Sequence, residues 1–266
     1  MRQPLPEGLT YPTTRRFGLR VAESWFDEPI IIPGVDIVRL EQRYRRPERI
    51  HVTERATLLT NLGEAEQALW NAMSKENRYE VRRARARDGL TIEMTDRPSP
   101  EQLDAFVAYF NAFAQSKGMS ALSATNRNQL RSYRGARRLV LSAIQKDEQQ
   151  LVWHSYYAAP GDTCRLLHSA SRFRESEDSA FRALVGRANR LLHWEEVCWF
   201  REQEYRRFDW GGWHAGADPA MLRINHFKES FGGTVIPVYF GELGSSLLGR
   251  LACGLLHRLR RGAMHR

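Results

Sequence analysis

Residues 205–236 read Tyr205-Arg-Arg-Phe-Asp209-Trp-Gly-Gly-Trp213, a short loop, and then Ile224-Asn-His-Phe-Lys228-Glu-Ser-Phe-Gly232-Gly-Thr234-Val-Ile236. Aromatic and apolar residues lead into Asp209, and two glycines are expected to break the strand there. A short amphipathic helix follows, with Leu222, Ile224 and Phe227 as its expected buried side and Lys228 at its end. Gly232 and Gly233 stop that helix, because glycine accepts the left-handed backbone of a helix end. Val235, Val238 and Phe240 read as another strand. A carboxylate, a backbone stretch without Cβ atoms and a lysine therefore meet in one strand–loop–helix–strand unit.

Working outward, three strands precede this unit: 138–144, 150–157 and 163–170. They are separated by the turns Lys146-Asp-Glu148 and Pro160-Gly-Asp162, whose residues favour tight reversals. A helix over 179–196 joins them to Asp209, with Ala180, Leu184, Ala188, Leu191 and Leu192 on its inner side. Further back, Ser99-Pro100 opens a helix to residue 117, and Leu103, Phe106, Val107, Phe110, Phe113 and Ala114 follow the helical period. Residues 123–136 read as a polar helix or loop. A long helical region is expected over 63–88, ended by Gly89, before a strand over 90–94. Arg78, Arg82 and Arg85 share one face of it. That face is either solvated or a contact for an anion.

Residues 1–20 read as an irregular arm, and Ile30–Pro33, Val35–Leu40 and His51–Leu59 as strands. The tail, 245–261, reads as a basic amphipathic helix with Leu247, Leu248, Leu251, Leu255 and Leu259 on one face and Arg250, Arg258, Arg260 and Arg261 beside them. Such a helix either lies on an anionic membrane or packs on protein. The expected division is an N-terminal extension (1–59), a main domain (60–242) and the C-terminal helix (243–266). The expected class is α/β, with a mixed, largely antiparallel sheet flanked by helices.

The chain has 266 residues and a formal net charge of +9, which favours an anionic partner. Its three cysteines are far apart and form no Cys-x-x-Cys pair, so neither a disulfide framework nor a zinc site is expected. No stretch approaches the ~18 apolar residues of a membrane span. These features suggest a cytoplasmic protein, at most peripheral to a membrane. Hydrolase, metalloprotease, P-loop and dinucleotide fingerprints are absent.

Three fragments, in order, resemble the FemAB-type family of GNAT-like acyltransferases. They are Trp70 with the basic run Arg78–Gly89; Gly186-Arg-Ala-Asn189 with Leu191-Leu-His-Trp194; and Phe208-Asp209-Trp-Gly-Gly212 with Phe227-Lys-Glu-Ser-Phe-Gly232. The resemblance covers about residues 60–240. It implies transfer of an acyl or aminoacyl group from an activated donor, aminoacyl-tRNA or acyl-coenzyme A, to an amine on a cell-envelope or polysaccharide precursor. No tightly bound cofactor or metal is expected. Asp209 is the candidate to orient or deprotonate the amine, or else to cap the Gly211-Gly212 turn. Lys228 is the candidate to hold a phosphate or steady the developing negative charge. Trp210 and Trp213 are candidate walls of the acceptor site. His154 and His168 are candidate proton relays, and Arg187, Asn189, Arg78 and Arg82 are candidate substrate contacts. Three acids, Glu175, Glu177 and Asp178, precede the central helix where a pyrophosphate would sit, which tilts the expected donor toward aminoacyl-tRNA. A non-catalytic anion-binding module on the same fold is the competing expectation.

Overall fold

The computed structural model describes residues 10–48 and 50–264, with side chains described to residue 255. The chain forms two compact units, residues 1–56 with 236–266, and residues 57–235. Among the described residues it carries ten mostly antiparallel strands and seven α-helices, a mixed α/β architecture.

The first unit contains β1 (Thr13–Arg16), β2 (Leu19–Trp25) and β3 (Ile37–Arg43), followed by the start of β4 (Val52–Asn61). The arm is thus not irregular past residue 12. Phe17 and Gly18 both have positive φ, at 49° and 80°, and reverse β1 onto β2 as a hairpin. The part of that expectation covering residues 1–9 lies outside the described residues. Ile30–Pro33 is not a strand, although Ile32 is buried with Ala22, Val35, Val38 and Leu40. β3 runs parallel to β2 and antiparallel to β10 (Thr234–Gly244), which leads into α7 (Leu247–Met264).

The second unit contains the strand order β4-β9-β8-β7-β6-β5. The expected long helix over 63–88 is two helices, α1 (Glu66–Ala72) and α2 (Lys75–Arg87). Met73 is extended, and Ser74 restarts the helix by accepting from the Asn77 amide at 3.1 Å. Asp88 closes α2, and Gly89 follows with φ +61°. After β5 (Thr91–Thr95) comes α3 (Pro100–Ser116), opened by a capping box between Ser99 and Gln102. α4 (Ala124–Gly135) settles the polar stretch as a helix, capped by Ser123.

The antiparallel meander is β6 (Leu139–Lys146), β7 (Gln149–Ala159) and β8 (Thr163–Ser171). Asp147 and Glu148 take positive φ in its first turn, and Gly161 does so in its second. A single 3-10 turn, Arg172–Arg174, leads to α5 (Ser179–Glu202), which runs six residues past its expected end. The chain returns as β9 (Arg207–Trp213), parallel to β8, then forms α6 (Pro219–Glu229) and β10. The core of this unit gathers Leu58, Val81, Ile144, Tyr156, Val185, Leu192, Phe208, Trp210 and Phe231 between strands and helices.

Two expectations about the 205–236 stretch fail. The glycines do not break β9, which continues through Gly211 and Gly212 to Trp213. On α6, Phe227 packs on the core as expected, but Leu222 and Ile224 are exposed and Asn225 faces inward instead. Asn225 is drawn in by its amide: Nδ2 donates to the His214 carbonyl, and Oδ1 accepts from the His214 amide.

Candidate active site

The end of β9 is held by one bond between near neighbours and by Thr57 of β4. Asp209 is fully buried, and its Oδ1 accepts from the Gly211 amide at 2.8 Å and from Thr57 Oγ1 at 2.6 Å. Gly211 needs its φ of +76°, and a Cβ there would lie 3.0 Å from the Leu166 carbonyl oxygen. Asp209 thus caps the Gly211 amide within β9, with its carboxylate shut away from solvent.

Lys228 completes the unit. Asp218 caps α6 by accepting from the Ala220 amide, Pro219 opens the helix, and its last turn brings Lys228 Nζ to the Gly212 carbonyl at 2.7 Å. Burial pushes the Lys228 ammonium down to about 8, with the Asp209 charge opposing that shift and Arg165 adding to it. Lys228 thus titrates at about 8, at the rim of the Gly211-Gly212 end of β9.

This rim borders a parting of strands. β8 and β9 pair only over Thr163–Arg165 against Arg207–Asp209, although β8 continues to Ser171 and β9 to Trp213. On the other side of β8 the register with β7 shifts, so that Leu167 is an extra residue between Leu166, opposite Tyr156, and His168, opposite Ser155. His168 packs on Phe106 and Phe110, and its Nδ1 lies 2.8 Å from Ser155 Oγ. Burial and then Arg165 push its imidazole down to about 4, so it is neutral at pH 7. Parallel strands that separate leave peptide groups without a ladder partner across the parting.

Behind β7 lies a cluster centred on Glu196. This side chain is fully buried. One carboxylate oxygen receives Ser142 Oγ and His154 Nδ1, and the other receives Tyr156 Oη and His193 Nδ1. Burial alone would raise the carboxyl, but His154 and His193 hold it below its ordinary range. Burial pushes His193 down to about 4, so a neutral imidazole donates to an ionised carboxylate. His154 and His193 stack at 4.3 Å, and His154 Nε2 meets Asn189 Oδ1 at 3.0 Å. His154, His193 and Glu196 offer ligand atoms within 4.8 Å of one another. Each carboxylate oxygen already has two donors, so the cluster is satisfied as a hydrogen-bonded core.

The remaining sequence candidates fall in several places. Trp210 is buried, donates Nε1 to Thr60 Oγ1 at 2.9 Å, and packs among Phe208, Phe231 and His193. Trp213 packs half-buried on the same core. Arg187 is spent on Asp88 through two bonds, of 2.6 and 3.1 Å, which tie α5 to the end of α2. Arg78 donates to the Asn71 and Met73 carbonyls and so caps α1. Arg82 is exposed, lying over Trp70. Asn189 belongs with the Glu196 cluster, and so does His154. His193 and Glu196 were missed as a pair; their only sequence signal is the three-residue spacing on one helix face.

No family model matches the chain, and no curated protein matches it. The crystal structure of FemX superposes with a TM-score of 0.56 at 15% identity, over 70% of this chain and 61% of that one. The fold is that of a FemAB-like GNAT acyltransferase. The C-terminal domain of a putative lysylphosphatidylglycerol synthetase from Agrobacterium fabrum matches this GNAT-like chain with a TM-score of 0.52 at 14% identity, over 90% and 82%. L-PGS from Bacillus licheniformis matches at 0.50 and 13%, over 93% and 84%. The GNAT-like chain spans less than two thirds of FemX, and at these identities the likeness is one of fold.

Proposed function

We propose that this protein is an N-acyltransferase of the aminoacyl-transferring kind, joining an activated acyl carbonyl to an amine at the parting of β8 and β9. The observation that carries this reading is Lys228, a desolvated cation held on the Gly212 carbonyl at the rim of that gap. In the reaction the acceptor nitrogen attacks the donor carbonyl and forms a C–N bond. The donor's ester C–O bond breaks, and the amine proton ends on the departing hydroxyl. The Lys228 ammonium steadies the oxyanion that forms between these events. Peptide groups along the diverging strands hold the acyl chain in line, which supplies the proximity such a reaction needs.

Aminoacyl-tRNA is favoured over acyl-coenzyme A. The start of α5, where a pyrophosphate would rest on free amides, is occupied by the chain's own acids: Asp178 caps Ala180, Glu175 binds Arg172, and Glu177 binds Arg182. Arg82, Arg83 and Arg87 are exposed along α2 and suit a polyanion, whereas Arg85 is engaged by Glu195. The acceptor is read as an amine on a cell-envelope or polysaccharide precursor, with a lipid- or nucleotide-linked phosphate as its anionic part.

The test is a titration of purified protein with charged tRNA, uncharged tRNA, acetyl-coenzyme A and longer acyl-coenzyme A, followed by transfer to model amines. Preference for charged tRNA, with turnover lowered about 100-fold or more by Lys228→Met, is the expected result. Saturable coenzyme A binding would instead make the donor an acyl-coenzyme A. Tight salt-sensitive binding without turnover, indifferent to Lys228→Met, would mark an anion-binding module.

A further inference from the structure

Helix α7 carries its leucines on the wrong side for a packed helix. Leu247, Leu248, Leu251 and Leu255 are 78%, 64%, 73% and 61% exposed. Its inward face is made of small residues instead: Gly249 is buried, and Cys253, buried, and Ala252, half-buried, pack with Leu19, Val21 and Ile37. This orientation is set at the helix start. Asp36 accepts from Ser246 Oγ at 2.7 Å, and its carbonyl receives the Ser245 amide at 2.8 Å. Gly249 lies so close to Asp36 that a Cβ would fall 1.9 Å from the carbonyl oxygen. Any larger residue at 249 lifts the helix, so glycine fixes which face meets the sheet and which faces out.

We propose that the outward leucine face of α7 docks on the surface of an anionic lipid bilayer. Charge selects this occupant. Exposed Arg250 flanks the leucines, the sequence continues with Arg258, Arg260 and Arg261, and residues 245–266 contain no Asp or Glu. A two-fold pair of copies across this face would set arginine against arginine with no carboxylate on the helix to offset them. A lipid surface takes the leucines at the acyl boundary and the arginines among phosphate headgroups. No helix among the described residues is long and apolar enough to cross a membrane, so the contact is interfacial.

Full-length protein is co-sedimented with vesicles of phosphatidylcholine alone and of phosphatidylcholine mixed with phosphatidylglycerol. Binding to the mixed vesicles that weakens with salt is expected. Leu247→Ser with Leu251→Ser should weaken it about tenfold or more while leaving circular dichroism and melting unchanged. Arg250→Glu should weaken binding to the mixed vesicles by a smaller factor. Absence of vesicle binding, or equal binding to both vesicle types, overturns the proposal. So does a dimer in solution that the serine variant dissolves without any vesicle binding. The proposal does not depend on the transferase reading, since vesicle binding is read without substrate.

Discussion

Lys228 gives the site a pH signature whose sign can be worked out. Its amine is a cation below about 8 and neutral above it. If the cation steadies the oxyanion, single-turnover rate falls as pH rises through about 8. Lys228→Arg should retain measurable activity and lose that falling limb, because a guanidinium stays charged. A folded-state value lower than the unfolded one means stability rises with pH from about 8 toward the ordinary lysine range, so the lost rate is not unfolding. Glu196 answers to a different test. With two donors on each oxygen, it is a hub whose charge the core depends on. Glu196→Gln should cost about 3 kcal/mol of stability, seen in urea denaturation, because an amide turns an NH2 toward donors that need an acceptor. Asp209 was legible as important from the residues before Gly211. Its burial and its bond to Thr57, which lies far away in sequence, follow only from the tertiary structure.

At the scale of elements, glycines with positive φ differ in how closely other chain segments approach them, and so in cost. Gly233 has φ +113°, and a Cβ there would sit 2.8 Å from the Leu59 carbonyl and 3.0 Å from Thr60 Oγ1. Gly89 has φ +61° and open space around it. Gly233→Ala should therefore destabilise by about 2–3 kcal/mol and Gly89→Ala by about 1 kcal/mol, measured side by side by chemical denaturation. The elements themselves were largely readable. α3 announced itself by Ser99-Pro100 and a full apolar stripe, and the β6–β8 meander by its turns. The break between α1 and α2 was not, because Ser74 caps as a residue that also sits within helices and no proline or glycine marks the site.

For the whole molecule, the charge of +9 bears on the donor. Binding of tRNA should fall steeply with salt, and Arg82→Ala with Arg83→Ala should make the logarithmic salt slope shallower by about one to two. Coenzyme A, with fewer phosphates, would show a far weaker dependence. The fold class, the order of strands and helices from β5 to β10, and the closeness of the Asp209 and Lys228 segments could be read from sequence, because period, turn chemistry and helix caps act over a few residues. The partners of Asp209, the Glu196 cluster, the burial of Trp210 and the outward turn of the α7 leucines were decided only in three dimensions. Each depends on groups brought together from distant positions: Thr57 with Asp209, Ser142 and His154 with Glu196, and Asp36 with Gly249. A helical wheel shows that α7 has an apolar face, but the backbone of Asp36 selects which face the sheet receives.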